Sequence, residues 1–313
     1  MKIQGSWAAA AALLSLLVVA GPGDAYVTSY PEEPDIDGTL LTVGLTVGHW
    51  LAGALPYPGF SALLDALLYA WTPKPEDDYW EHIEQQVHDL CGNFVNQDNI
   101  DKVLVYKNDL MTMLRIYENS PVEGDGSYPT KNVQADAITS SIISNRYLVE
   151  ASLMPWSMTL YFVDIASMHI IVLQDAAESY TFPDTAPSLW WRDLSTELAH
   201  YITYSRTLYD QTLQFRRDNI ECYFDEGGST DKYIITDHVT GLQDSCTQIH
   251  PGDGEVGSCA SACQNFEDQV VRDLAAWYWD FVGYPASQWE QLRFKAELLA
   301  ENASGYRVPP HEE

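Results

Sequence analysis

The sequence predicts an all-α fold in which one apolar helix is enclosed by amphipathic neighbours, and three observations carry that expectation. The stretch MPWSMTLYFVDIASMHIIVLQDAAE, Met154 to Glu178, puts apolar residues on every side of a helical wheel beyond Pro155. A helix there has no natural solvent face and has to be covered by others. The stretches around it carry apolar residues at helical intervals on one face only. Four of the cysteines, Cys222, Cys246, Cys259 and Cys263, crowd around a glycine- and acid-rich segment, 225–263, which reads as a disulfide-tied loop insertion before the last bundle helix.

The 313 residues, 46% of them hydrophobic, suffice for one large domain or two small ones with a substantial core. Lys2, the apolar run Trp7 to Ala20 and the small residues up to Ala25 have the grammar of a signal peptide over 1–25, so the protein is expected to be secreted and extracellular. The net charge of −29 does not change on cleavage, because Lys2 and Asp24 leave together. So acidic a surface repels phosphate backbones and anionic lipid, which argues against nucleic acid and against a polybasic membrane anchor.

Taken in order, Tyr26 to Gly38 is acidic, carries prolines and lacks periodicity, so 26–39 is an extended leader. Leu40 to Trp71 is nearly uncharged and broken by Pro56 and Pro58; proline removes a backbone donor, so two short buried helices fit better than one span. Asp77 to Glu118 is amphipathic, with Ile83, Val87, Leu90 and Phe94, then Ile100, Val103, Tyr106, Leu110, Leu114 and Tyr117 at helical intervals. It reads as a long surface helix, breakable near Gly92 or Asn99, with Cys91 as a small buried hydrophobe. Turn chemistry over Pro121 to Pro129 leads into a helix over Val133 to Ser152, whose polar stripe includes Gln134, Asp136, Ser140, Ser141 and Asn145. With the central helix this forms a hairpin across Ser152 to Pro155. A long aromatic-rich pattern then runs from Leu189 to Asp225, and the cysteine-rich segment offers one short strand at Lys232 to Thr236. A last helix is expected over Asn265 to Val282, followed by a polar helix and tail over 286–313, where Asn302-Ala303-Ser304 is a glycosylation sequon.

In a secreted chain four clustered cysteines read as two disulfides, and three pairings stay open. The rival reading, a metal site, lacks the paired C-x-x-C spacing. Asp164 interrupts the central helix alone, with Asp175 on the same face near its end. One reading of Asp164 is a buried carboxylate satisfied by a neighbour. The other is a titratable brake on membrane entry, since a charged Asp at the centre of a spanning helix costs roughly 2.5–3.5 kcal/mol. No nucleophile elbow, phosphate-binding glycine loop, H-E-x-x-H or dinucleotide fingerprint is present, so neither enzymatic chemistry nor a cofactor or metal is expected.

LLTVGLTVGHWLAGALPYPGFSALLDALLYAW, DDYWEHIEQQVHDL, YFVDIASMHIIVLQDAAE and QVVRDLAAWYWDF with Gly283-Tyr284-Pro285, in that order, resemble the N-terminal helical domain of the insecticidal crystal toxins, the delta-endotoxin family. The likeness spans most of 40–285. It implies a bundle of about seven helices with one central, and pore formation by a hairpin of the family's fourth and fifth helices. Those would be Val133 to Ser152 and Trp156 to Glu178 here. Trp156, Leu160, Phe162, Asp164, Ile165, Ile170, Ile171 and Leu173 would then enter the membrane, while Gln134, Ser140, Ser141 and Asn145 would line the pore. The implied partners are target-membrane lipid, a membrane receptor and further copies of the chain. The alternative is a non-lytic secreted binding or structural protein that keeps the bundle without insertion.

Overall fold

The computed structural model describes residues 87–88, 91–92, 94–122, 130–179, 189–227, 230–249 and 261–304. The expected signal peptide, acidic leader and proline-broken apolar run lie outside the described residues. The fold is mostly helical, with one small antiparallel sheet: α1 (Gln97–Asn119), α2 (Lys131–Asn145), α3 (Thr159–Ser179), α4 (Leu189–Asp218), β1 (Ile220–Gly227), β2 (Thr230–Asp237), β3 (Gln243–Ile249), α5 (Ala262–Tyr278) and α6 (Tyr284–Ser304).

α3 is the central helix. Of its 21 residues only Asp164, Ser167, Glu178 and Ser179 are not buried. A 3-10 turn, Pro155–Met158, leads into it; proline suits the first position of a helix, where no N–H donor is needed. α2 and α4 pack along α3, α1 packs on α2, and α6 packs on α4. The expected break near Gly92 is present. Gly92 has φ +56°, and the Asn96 side chain accepts from Asn99 N (3.2 Å) to cap α1. α2 starts at Lys131, two residues before the expected start, and after Asn145 the chain makes one further helical turn, Tyr147–Glu150.

Three expectations need correction. First, the insertion is not a loop with one strand but a three-stranded meander, β1-β2-β3, in which Cys222 faces Ile235 and Tyr233 faces Cys246. The helix expected to reach Asp225 therefore stops at Asp218. Asn219 Nδ2 caps the Phe215 carbonyl (2.8 Å), and the β-favouring run Ile220, Cys222, Tyr223, Phe224 continues as a strand. Second, the chain does not leave the bundle after Val282. α5 passes through a π-helical turn, Trp279–Gly283, directly into α6. Pro285 lacks an N–H, and the widened turn falls just before it, where an α ladder would lose a bond. Third, the polar C-terminal helix has a core face. Pro285, Trp289, Leu292 and Ala296 are buried, Trp289 completely.

The sheet is fastened to the helices at three places. Cys222 and Cys263 form a disulfide, which settles that pairing, and Cys246 is disulfide-bonded as well. Cys91 is free and buried, and Cys259 lies outside the described residues. Gly92 meets the β2–β3 turn so closely that a Cβ would stand 2.1 Å from Val239 O. Arg216 donates to the buried Asp237 carboxylate (2.7 Å), which also accepts from Thr240 Oγ1 (2.7 Å) and Val239 N (2.9 Å).

Burial works to raise the Asp237 pKa, but the Thr240 hydroxyl, the Arg216 charge and the Val239 amide outweigh it and hold the carboxyl below its ordinary value. A depressed folded-state pKa gives stability that is complete above the unfolded value, about 3.9, and is lost as the pH falls through the folded value. Asp237→Asn is expected to remove that part of the acid-unfolding profile; an unaltered profile followed by circular dichroism would contradict the assignment. Replacing Cys222 and Cys263 together by serine is expected to lower stability by about 2–4 kcal/mol, since the bond closes a long loop. Urea denaturation measures it, and an unchanged midpoint would show that the bond constrains nothing.

Candidate functional site

Enclosure of α3 follows from its sequence, because no face of Thr159–Ser179 is polar over more than one turn. The partner helices meet it with aromatic rings and with a few polar side chains placed at its two ends and its middle.

At the N-terminal end, Trp156 stacks flat on Phe215 of α4 (4.1 Å between centroids), Phe94 meets Phe215 edge-on at 5.5 Å, and Trp156 Nε1 donates to Phe94 O (3.2 Å). Phe162 is ringed by Tyr204 (4.8 Å), Tyr201 (5.8 Å) and Trp289 (6.3 Å), all in edge-to-face geometry. Such pairs are worth about 0.5–1.5 kcal/mol each beyond the area they bury.

In the middle, His169 Nδ1 and Tyr201 Oη are hydrogen-bonded at 2.7 Å, while His169 Nε2 meets no partner among the described residues. The Arg146 guanidinium lies 5.4 Å from the Tyr201 ring centroid and pairs with Glu197 and Glu150. Burial pushes the Tyr201 phenol well up, with Arg146 opposing, so Tyr201 remains neutral. Glu150 also receives His200 Nε2 at 2.8 Å, and Tyr204 Oη donates to the Val149 and Glu150 carbonyls, each at 3.3 Å. This network ties the end of the first hairpin arm to α4.

At the C-terminal end, Tyr117 Oη of α1 donates to Asp175 Oδ2 (2.6 Å), and Lys131 Nζ, at the start of α2, stands 3.6 Å from the same oxygen. Lys131 also sits over the Tyr117 ring at 5.1 Å. One buried carboxylate thus joins α1, α2 and α3. Gln174 Nε2 donates to Glu178 (3.1 Å), which faces Lys295 of α6 at 3.8 Å.

Of the residues singled out in sequence, Leu160, Phe162, Ile165, Ile170, Ile171 and Leu173 are buried in the core, and Trp156 is half-buried. Asp164 is half-buried, so the carboxylate enclosed in the core is Asp175. Gln134, Ser141 and Asn145 share one half-buried edge of α2, where Tyr106 Oη lies 3.3 Å from Ser141 Oγ and Asn145 Nδ2 donates to Ser141 O. Ser140 lies apart, on the exposed face. Asn302 falls in the last turn of α6.

Sequence reading missed Lys131, Tyr117, Arg146 and the His169–Tyr201 pair. The available signal was scarcity: with only 16 Lys and Arg in the chain, a base at either end of an apolar helix is a candidate partner for a core acid. At the hairpin connection expected across Ser152 to Pro155, Leu153 is 89% exposed, and Tyr147 ahead of it is 59% exposed. Among the described residues no group of side chains has the makings of a metal site. No known family model matches the chain, and no curated protein does.

Tyr117→Phe removes the donor from the buried Asp175 and is expected to lower stability by about 1–3 kcal/mol, measured by urea denaturation. In an Asp175→Asn background the loss should shrink; an equal loss in both backgrounds would show that Tyr117 acts through packing alone.

Proposed function

We propose that the chain is a secreted pore-forming protein, similar to the N-terminal domain of the delta-endotoxins, in which α2 and α3 leave the bundle as a hairpin and enter a target membrane. The bundle of about seven helices expected from that resemblance belongs to this reading. The observation that carries it is the character of α3 together with its entry: Pro155–Ser179, 25 residues, is long and apolar enough to cross a bilayer. A buried core helix of a water-soluble protein passes the same test, so the exposed tip weighs in the choice. Leu153, two residues ahead of this segment, is 89% exposed, and Tyr147, at the start of the helical turn Tyr147–Glu150 that precedes it, is exposed as well.

The physical logic is a choice of cover. In water α3 is stable only beneath α2, α4 and their aromatic rings, whereas in lipid a helix satisfies its own backbone and needs no cover. What opposes the transfer is polar: each charged carboxylate carried to the bilayer centre costs roughly 2.5–3.5 kcal/mol. Asp164 would act as the gate, and Asp175 would have to part from Tyr117 and Lys131. The edge of α2 bearing Gln134, Ser141 and Asn145 would turn to the aqueous path. A single hairpin encloses no lumen, so several copies must assemble. The net charge of −29 favours neutral over anionic bilayers.

A non-lytic secreted binding protein is the second reading. It is favoured by the sheet, which the Cys222–Cys263 bond ties to α5, and by the Tyr117–Asp175 hydrogen bond and the Arg146–Glu197 ion pair, which fasten the hairpin to α1 and α4.

Dye release from neutral and anionic vesicles by the oxidised protein, scanned from neutral to mildly acidic pH, separates the two. The expected result is release that rises as carboxylates protonate, exceeds that from anionic vesicles at low salt, and is shifted toward neutral pH by Asp164→Asn. Complete absence of release by a helical, folded protein under all these conditions leaves the second reading in possession.

A further inference from the structure

We propose that α6 is an autoinhibitory brace: it clamps α4 onto the central helix and has to swing away before the hairpin can leave. This rests on the pore-forming reading and names the element that regulates it.

α6 packs chiefly on α4 and meets α3 through Trp289 and Lys295. Trp289, fully buried, stands between Phe162 of α3 (6.3 Å) and Tyr201 of α4 (6.1 Å). Tyr201 in turn holds His169 of α3. The Trp289 ring is therefore the wedge that keeps the aromatic contacts of α3 and α4 in register. Toward the other end of α3, Lys295 faces Glu178 at 3.8 Å and lies 5.9 Å from the Trp191 ring of α4.

The attachment has the features of a removable part. Its buried apolar stripe, Pro285, Trp289, Leu292 and Ala296, contains a single aromatic ring, with Ala286, Leu299 and Ala300 partly buried beside it. The ion pairs that flank the stripe, Arg206–Glu290 (3.6 Å) and Lys295–Glu178 (3.8 Å), are substantially exposed and so are weakened by salt. On the opposite face Phe294 and Leu298, four residues apart, are exposed. At its start lies the π-helical turn Trp279–Gly283, a local departure from α geometry of the kind found at helix kinks and functional sites. A Cβ at Gly283 would come within 2.8 Å of the Trp279 ring, so a larger residue there would have to displace that exposed ring.

The test uses the full chain with two kinds of variant. Trp289→Ala removes the wedge, and Leu274→Ala in the core of α5 is a cavity control, the two compared at equal global stability by adjusting denaturant. Arg206→Glu with Lys295→Glu reverses the outer pairs without opening a cavity. Hydrogen exchange of the Thr159–Ser179 amides and vesicle dye release are read together. The brace predicts exchange in α3 faster by about tenfold in Trp289→Ala than in Leu274→Ala, with a smaller increase in the charge-reversed variant that fades in high salt. Faster α3 exchange without any gain in release upholds the brace and removes the pore. Equal α3 exchange in Trp289→Ala and Leu274→Ala, or faster exchange confined to α6, overturns the brace.

Discussion

Everything in this molecule depends on the need to keep water away from Thr159–Ser179. Burying each large apolar side chain of such a helix is worth about 1.5–3 kcal/mol, so leaving α3 bare would cancel the whole stability of an ordinary domain. The neighbours are shaped by that demand. α2 gives Ala135, Ile138 and Ile142, and α4 gives Trp191, Leu194, Leu198, Tyr201, Ile202 and Leu208.

The same demand explains how much was legible in the sequence. A helix that is apolar all round shows in composition alone, and so did the one-sided helices beside it, because burial leaves a period of about 3.6 residues. The break at Gly92 was legible because glycine tolerates φ above zero. The sheet was not. Glu221, Cys222, Tyr223 and Phe224 of β1 are all exposed, so no alternation of buried and exposed residues outweighs the helical pattern running on from α4. Nor was the core role of α6, because its stripe of Trp289, Leu292 and Ala296 is diluted by charged residues on the other faces. The polar partners were hidden for a different reason. Tyr117 and Asp175 are 58 positions apart, and a single long-range pair has no period to announce it.

Two classes of fastening hold the cover. The apolar and aromatic contacts are non-directional and survive small shifts of one helix on another. The polar ones at Asp175, Arg146 and Asp237 are directional and buried or half-buried, so losing one partner leaves the other unsatisfied at a cost of about 1–3 kcal/mol. They fix which arrangement of helices is stable and sharpen the transition out of it. The sheet adds a covalent tie between β1 and α5 that shares no residue with the Asp175 contacts, so the hairpin and the sheet are held by different means.

The central claim is that α3 exchanges a protein cover for a lipid one. Ser167 is a half-buried position midway along α3. A cysteine introduced there is more accessible than Cys91, which is buried and whose pKa burial, against the opposing charge of Arg216, pushes up to about 12. An environment-sensitive fluorophore on Ser167→Cys, mixed with vesicles whose acyl chains carry bromine at a defined depth, reports where the helix centre goes. The account predicts quenching that is greatest for bromines near the bilayer centre and that grows with dye release. A probe that stays unquenched at every depth while the vesicles leak would contradict it, since the leak would then come from some other part of the chain.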